Sequence, residues 1–218
     1  MSLEKKDFIE IEFTGRIRGG EIFDSNIKED IEKLHLGHEH PVESKPFIFS
    51  LGEGMFLKAI DDFLIGKPDK LTDYELELSP EKAFGKRDTK LIQMVPIKLF
   101  IQSKLNPIPG AMFNFDGRIA KILAVSGGRV MVDFNNPLAG KTVIYKIKIL
   151  RKIDNLEEKV KSFIEFLFKK DFKFEIKDKK ITIEAEKPEI SFIELFREKF
   201  KNLFDLELEI KEIEKPVK

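Results

Sequence analysis

The alternation of hydrophobic and polar residues in the N-terminal third of the chain predicts a small sheet and one short helix. Ile9, Ile11 and Phe13 alternate with glutamates, which predicts a strand with one buried face. Similar alternation predicts strands ending at Phe23-Asp24, around residues 47–49 and over residues 71–78. Between the last two strands, apolar residues recur at helical spacing: Phe56, Ile60, Phe63 and Leu64.

The pattern changes between residues 87 and 132, which predicts a second, smaller sheet. Pro96 interrupts an apolar stretch over residues 91–105 and excludes a long regular helix there. Asp116-Gly117 predicts a hairpin, and Gly127-Gly128 predicts another turn before a strand that ends at Phe134. A long strand over residues 143–153 then returns to the first sheet.

The pattern over residues 154–218 predicts a third unit whose helices and strands follow the order αββαβ. The first helix has an apolar stripe that includes Val160, Phe163 and Leu167, and the second places Phe192, Phe196 and Phe200 inward. Because so small a unit buries little apolar surface by itself, we expect it to dock on another surface or to form a homodimer.

The amino-acid composition excludes several classes of partner and of chemical site. Lys+Arg and Asp+Glu are 39 each, so the formal net charge is zero, which argues against nucleic acid or a membrane surface as a partner. Cys is absent, which excludes disulfides, zinc-thiolate sites and thiol nucleophiles. The sequence contains no apolar run long enough to span a bilayer and no signal peptide, so we expect a cytoplasmic protein.

Four sequence blocks, in register, resemble one family. They are Phe13-Thr14-Gly15 with Gly20-Glu21-Ile22-Phe23-Asp24; Pro46-Phe47-Ile48-Phe49 with Leu51-Gly52-Glu53-Gly54 and the helix after it; Ser79-Pro80-Glu81-Lys82-Ala83-Phe84-Gly85; and Asp133-Phe134-Asn135-Asn136-Pro137-Leu138-Ala139-Gly140. The set resembles FKBP-type peptidyl-prolyl cis-trans isomerases of the insert-bearing, SlyD-like kind, over about residues 5–153.

This resemblance implies an α+β fold in which an FKBP-like antiparallel half-barrel sheet wraps on a short helix. Residues 4–86 and 133–153 would form the catalytic domain, and residues 87–132 the insert-in-flap domain with chaperone activity. Residues 154–218 resemble, in layout only, the C-terminal α/β extension of long archaeal members.

The resemblance also implies an isomerase (EC 5.2.1.8) that needs no cofactor and acts on unfolded or nascent polypeptides containing X-Pro. Nine residues fall on the family's catalytic positions: Phe13, Phe23, Asp24, Phe47, Phe56, Leu57, Ile60, Phe84 and Tyr145. Phe13 and Phe84 occupy positions where the family commonly has Tyr, which keeps open the alternative of a non-catalytic holdase chaperone on an FKBP fold. Taken singly, each Phe is more often a core residue than a site residue, and only the four blocks together favour the site.

Two further groups of residues are candidate binding sites. In the insert, apolar residues exceed what a small sheet can bury, which favours a client-binding surface over internal packing or a dimer contact: Met94, Ile97, Phe100, Ile101, Met112, Phe115 and Ile122. His35, His38 and His40 lie within seven residues; the pattern favours an exposed His-rich turn, and a site for a divalent metal ion is the alternative.

Overall fold

A computed structural model describes residues 2–34, 44–69, 71–115 and 117–214. The elements of the N-terminal part are β1 (Phe8–Ile17), β2 (Ile22–Ser25), α1 (Lys28–Ile31), β3 (Phe47–Ser50), α2 (Lys58–Leu64) and β4 (Thr72–Leu78). Those of the insert are β5 (Ile92–Pro96), α3 (Ile97–Gln102), β6 (Met112–Phe115), β7 (Arg118–Ser126) and β8 (Arg129–Asp133). The remainder comprises β9 (Val143–Ile153), α4 (Leu156–Phe168), β10 (Phe174–Lys177), β11 (Lys180–Glu186), α5 (Lys187–Glu194), α6 (Arg197–Phe204) and β12 (Glu207–Ile213).

The first sheet is antiparallel and confirms the predicted FKBP-like half-barrel. Its strand order is β2-β1-β9-β4, and β3 also pairs with β1. The first half of β1 pairs with β3 and the second half with β2, so β1 changes neighbour near Phe13. Alternation along the strands directs the side chains of Ile9, Ile11 and Ile147 to one face of the sheet. Ile60 and Leu64 on α2 are buried in the same core as these residues.

Polar side chains complete the backbone hydrogen bonds of Phe13, where β1 changes neighbour. The Asn26 side chain accepts the Phe13 N–H at 2.7 Å through Oδ1 and donates through Nδ2 to the Ile11 carbonyl oxygen at 2.9 Å. The Ser25 hydroxyl donates to the Phe13 carbonyl oxygen at 3.0 Å. Since buried backbone groups without partners are costly, these two residues fix the strand at the point that carries the Phe13 ring.

The insert has a hydrophobic core of its own. Its four strands run in the order β5-β8-β7-β6, and α3 covers one side through Phe100. β5 ends at Pro96 and α3 begins at Ile97, as expected from the inability of proline to continue a regular hydrogen-bond ladder. The buried members of this core are Phe100, Ala120, Ile122, Val130 and Val132.

The C-terminal unit has the order αββααβ, so the prediction of a single second helix was wrong. The chain leaves helical geometry at Phe196, where φ is −97° and ψ is 5°. There the Phe196 ring packs edge-on against Phe168 and Phe192, with centroids 5.4 Å away in both cases, and these contacts offset the helical hydrogen bonds that are lost.

The C-terminal sheet has β11 in its centre, antiparallel to β10 and parallel to β12. Val160, Phe163 and Phe200 belong to one hydrophobic core with the N-terminal sheet, so this unit docks on the first sheet, as the small size of its own core requires. No helix in the described ranges is both long and apolar enough to cross a bilayer.

Candidate active site

Aromatic rings from four strands and two loops meet in one group. Phe56 lies at the centre: its ring centroid is 4.9 Å from that of Phe13, 5.7 Å from Phe47 and 5.7 Å from Tyr145. Phe23 joins through Tyr145 at 5.7 Å, and Phe84 joins through Phe23 at 5.6 Å. We call these six rings the aromatic cluster: Phe13, Phe23, Phe47, Phe56, Phe84 and Tyr145.

The cluster has a buried base and a partly exposed rim. Phe13 and Tyr145 are buried, whereas Phe23, Phe47, Phe56 and Phe84 are each half-buried. Ile60 is buried in the same core, and Leu57, three residues earlier and just before α2, is half-buried. All of the predicted apolar site residues therefore belong to one hydrophobic cluster, with a rim of aromatic rings open to solvent.

Tyr145 and Asp24 are the polar residues of this region. Burial of the phenol raises the pKa of Tyr145, and the negative charge of nearby Asp24 raises it further. The phenol therefore keeps its proton at neutral pH and stays a hydrogen-bond donor. Asp24 is half-buried and lies opposite Gly15 in the β1–β2 register, so it stands at the edge of the cluster.

Gly15 belongs to the first sequence block, but it was not among the predicted site residues. A Cβ on Gly15 would lie 2.9 Å from Cζ of Phe23 and 2.9 Å from Cε1 of Tyr145. Two rings of the cluster therefore rest directly on the backbone of β1, and any side chain here would displace them. The signal in the sequence is a glycine inside a strand, which marks a close approach to the backbone.

Asp61, on α2 next to Ile60, is a buried carboxylate that was not predicted. It is 2% exposed, it accepts the backbone N–H of Gly52, and its Oδ1 atom is buried without a hydrogen-bond partner. Burial, with smaller contributions from the charges of Asp62 and Glu53, raises the pKa of Asp61 to about 6. Asp61 connects α2 to the loop that carries Phe56.

We expect Asp61 to make stability depend on pH. Because its pKa in the folded protein is about 6 against 3.8 for the free side chain, the folded state binds more protons between these values, and stability falls as pH rises through this window. The shift corresponds to about 3 kcal/mol of unfolding free energy. Between pH 4 and pH 7.5, the free energy of urea unfolding of wild type should fall relative to that of Asp61→Asn; an equal change in both proteins would contradict this expectation.

The structure corrects the predicted client-binding surface of the insert. Phe100 and Ile122 are 2% and 0% exposed, and Ile97 and Phe115 pack against them, so these four residues belong to the insert's own core. Met94, Ile101 and Met112 are 53%, 64% and 51% exposed. Further exposed apolar side chains of this region went unpredicted: Leu91, Leu99, Ile108, Ile119 and Met131.

A polar network joins the insert to the first sheet. Arg87 donates from Nε and Nη2 to Oδ2 of Asp133, at 3.0 and 2.6 Å. The Asn135 side chain donates to Oδ1 of Asp133 at 2.6 Å and accepts the Asp88 N–H at 2.8 Å. These hydrogen bonds join the segment by which the chain enters the insert to the segment by which it leaves.

The predicted metal-binding residues His35, His38 and His40 lie outside the described residues. Within the described part of the chain, no group of three or more His, Asp or Glu side chains is placed to hold a metal ion.

Two surface clefts of about 500 Å³ lie apart from the centre of the aromatic cluster. One is on the outer face of the first sheet, between charged side chains that include Glu12, Glu75 and Lys146. The other lies between β3 and α4, where Phe47 shares the lining with Lys161 and Glu165. Charged walls are a poor environment for a proline ring, so the aromatic cluster remains the candidate site.

Two known families match parts of this chain. The family described as FKBP-type peptidyl-prolyl cis-trans isomerase matches residues 1–98. The family described as FKBP26, IF domain matches residues 93–138, which overlap most of the insert.

Several curated proteins are similar to this chain. The short-type peptidyl-prolyl cis-trans isomerase of Methanocaldococcus jannaschii is 29% identical over 67% of this chain and 92% of its own length. The FKBP-type 16 kDa isomerase of Escherichia coli K12 is 35% identical over 49% of this chain and 73% of its own length. SlyD of Aeromonas hydrophila is 27% identical over 68% of this chain and 64% of its own length. With the half-barrel sheet and the aromatic cluster, these similarities establish that the chain belongs to the FKBP-type peptidyl-prolyl cis-trans isomerases.

Proposed function

We propose that this isomerase acts on unfolded polypeptides, which its insert binds and delivers to the aromatic cluster for X-Pro isomerisation. One observation carries the proposal: a single chain presents a rim of aromatic rings and, on an insert connected to the same sheet, a group of exposed apolar side chains. Residues 4–86 with 133–153 are then the catalytic domain, 87–132 the insert-in-flap domain and 154–218 the C-terminal extension.

The reaction requires no nucleophile, metal or proton transfer. Rotation about the X-Pro bond is slow because resonance gives the C–N bond partial double-bond character, with a barrier of about 18–20 kcal/mol. The planar amide is charge-separated and the twisted amide is not. An apolar surface that excludes water therefore disfavours the planar ground state relative to the twisted transition state.

The residues of the site have distinct roles in this mechanism. The half-buried rings of Phe23, Phe47 and Phe56 contact the proline, and the buried Ile60 belongs to the core against which they pack. A backbone N–H near Phe56-Leu57 donates to the substrate carbonyl oxygen. Asp24, which acts on the electrostatics of Tyr145, orients polar groups beside the rotating bond and does not transfer a proton.

The exposed side chains of the insert suit the capture of unfolded chains. Met94 and Met112 are flexible and polarizable, so they adapt to varied apolar segments, and Ile101 adds a more rigid contact. Exposed apolar groups of this density on a small unit indicate an interaction surface. The Arg87–Asp133 network holds the insert to the catalytic sheet, so a captured segment stays close to the cluster and meets it at high effective concentration.

The alternative function is a holdase chaperone that does not catalyse isomerisation. Phe13 and Phe84 favour it, because neither ring carries a hydroxyl that could hold a substrate carbonyl. The two functions make opposite predictions for a client whose refolding is limited by a proline. An isomerase with a capture surface accelerates the refolding and suppresses aggregation, whereas a holdase suppresses aggregation and leaves the proline-limited rate at its value in buffer.

Homodimerisation through the C-terminal unit stays a prediction. Phe192 and Leu195 at the end of α5 are 51% and 74% exposed, and they are the apolar side chains that such a contact would cover. Light scattering at micromolar concentration distinguishes the mass of a dimer from that of the 25.3 kDa monomer.

A further inference from the structure

The 51–57 loop, between β3 and α2, carries two residues of the candidate site, Phe56 and Leu57. Gly52 and Gly54 both have positive φ, 79° and 74°, so the loop follows a path that most side chains disfavour. The Phe56 ring contacts four other rings, so a small displacement of this loop changes the whole aromatic cluster. What holds the loop in place therefore affects the geometry of the site.

The backbone just before β1 and the helix α2 hold the start of the loop. The Leu51 N–H donates to the Asp7 carbonyl oxygen at 2.9 Å, and the Lys6 N–H donates to the Leu51 carbonyl oxygen at 2.9 Å. On the α2 side, the buried Asp61 carboxylate accepts the Gly52 N–H. Each of these contacts fixes the beginning of the loop, close to β3.

The C-terminal unit holds the tip of the same loop. Nζ of Lys199, on α6, lies 2.9 Å from Oε2 of Glu53, and the Glu53 side chain is only 18% exposed. α6 is anchored nearby by two further contacts. Lys6 Nζ donates to the Asn202 carbonyl oxygen at 2.8 Å, and the Phe8 and Phe204 rings lie 5.6 Å apart. The Lys199 cation therefore comes from a helix that also contacts the N-terminal segment and β1.

The charges around the loop explain why a cation is needed there. Glu53, Asp61 and Asp62 are close enough for their carboxylates to interact electrostatically, and Asp61 is buried. Lys199 gives the Glu53 carboxylate a cationic partner on α6, which keeps the tip of the loop against that helix. Without it, the repulsion among the carboxylates would favour displacement of the loop.

We propose that Lys199 is a positioning residue for prolyl isomerisation, which acts through Glu53 on the loop that carries Phe56 and Leu57. The C-terminal unit is then a working part of the isomerase site. This inference rests on isomerisation at the aromatic cluster, and it assigns a function to a unit that the matched isomerase families do not cover.

The test uses charge reversal in the full chain. Lys199→Glu should lower kcat/KM for an X-Pro tetrapeptide about threefold to tenfold and accelerate hydrogen exchange of residues 51–57 by a similar factor. Lys199→Arg should keep both values within twofold of wild type. Lys201→Glu is the matched control, since Lys201 lies on the same helix and pairs with Asp205 at 3.0 Å; it should leave both values unchanged.

The charge-swapped double variant, Glu53→Lys with Lys199→Glu, separates positioning from a general loss of stability. It should recover at least half of the lost kcat/KM, because the ion pair is re-formed with its partners exchanged. The proposal is overturned if Lys199→Glu leaves loop exchange and kcat/KM at wild-type values, if Lys201→Glu has the same effect, or if the swap recovers nothing. An inactive wild type would instead contradict the isomerase function itself, while loop exchange would still report whether Lys199 holds the loop.

Discussion

Excision of the insert should slow the catalysed refolding of a proline-limited protein about a hundredfold, while the activity on a tetrapeptide stays within twofold of wild type. The reason is effective concentration: a client bound by the insert meets the aromatic cluster at millimolar local concentration, whereas a free client in an assay is micromolar. A tetrapeptide is too short to contact the insert and the aromatic cluster at once, so its isomerisation rate should not depend on the insert.

The structure shows where the insert can be cut. Ile92 of β5 pairs with Asp133 of β8, so a two-residue Asn-Gly turn can join them as a hairpin. This excision keeps the Arg87–Asp133 ion pair and the Asn135 contacts with the sheet.

The matched control keeps the insert and changes only its surface. Replacing Met94, Ile101 and Met112 with Ser should reproduce most of the loss, whereas Lys104→Ser, a change of an exposed polar residue in the same insert, should have no effect. If the excised protein refolds the client as fast as the full chain does, the insert is not the capture surface, and the exposed end of α5 becomes the candidate.

Phe56→Ala should lower kcat/KM for an X-Pro tetrapeptide about 10- to 100-fold. The Phe56 ring contacts Phe13, Phe47, Phe49 and Tyr145, so its removal opens the centre of the aromatic cluster to water. Loss of a large apolar contact costs about 1.5–3 kcal/mol, and each 1.36 kcal/mol of transition-state stabilisation is a factor of ten in rate.

Phe192→Ala is the matched control for this second prediction. Phe192 also lies in an aromatic group and is half exposed, but it belongs to α5, in the C-terminal unit. Its removal should leave the tetrapeptide activity unchanged. Circular dichroism should show both variants folded, since Phe56 is only half-buried, and equal activity of the two variants would contradict the assignment of the site.

The family resemblance of the four sequence blocks was sufficient to predict the half-barrel and the clustering of the site residues. Alternation along β1, β4 and β9 indicates which side chains face the core. The four sequence blocks indicate which parts of the chain form the site. Phe13, Phe56 and Tyr145 are far apart in the chain, so only the family resemblance could place their rings together.

Other features could not be predicted because they depend on tertiary contacts. Apolar spacing in the insert does not reveal which face is covered, so Phe100 and Ile122 were assigned to the surface although they form its core. Asp61 resembles an ordinary charged helix residue, and only the approach of Gly52 shows that it is buried. Similarly, nothing in the sequence around Lys199 indicates that it reaches a loop 146 residues away.

The most direct test of the central claim is exchange spectroscopy by NMR on a short X-Pro peptide with catalytic amounts of the full chain. We predict exchange between the cis and trans proline signals within seconds or less, against tens to hundreds of seconds for the peptide alone. Phe56→Ala should return the exchange most of the way to the uncatalysed rate, and Phe192→Ala should not. If the wild-type protein leaves the exchange at the rate of the peptide in buffer, the aromatic cluster does not catalyse prolyl isomerisation.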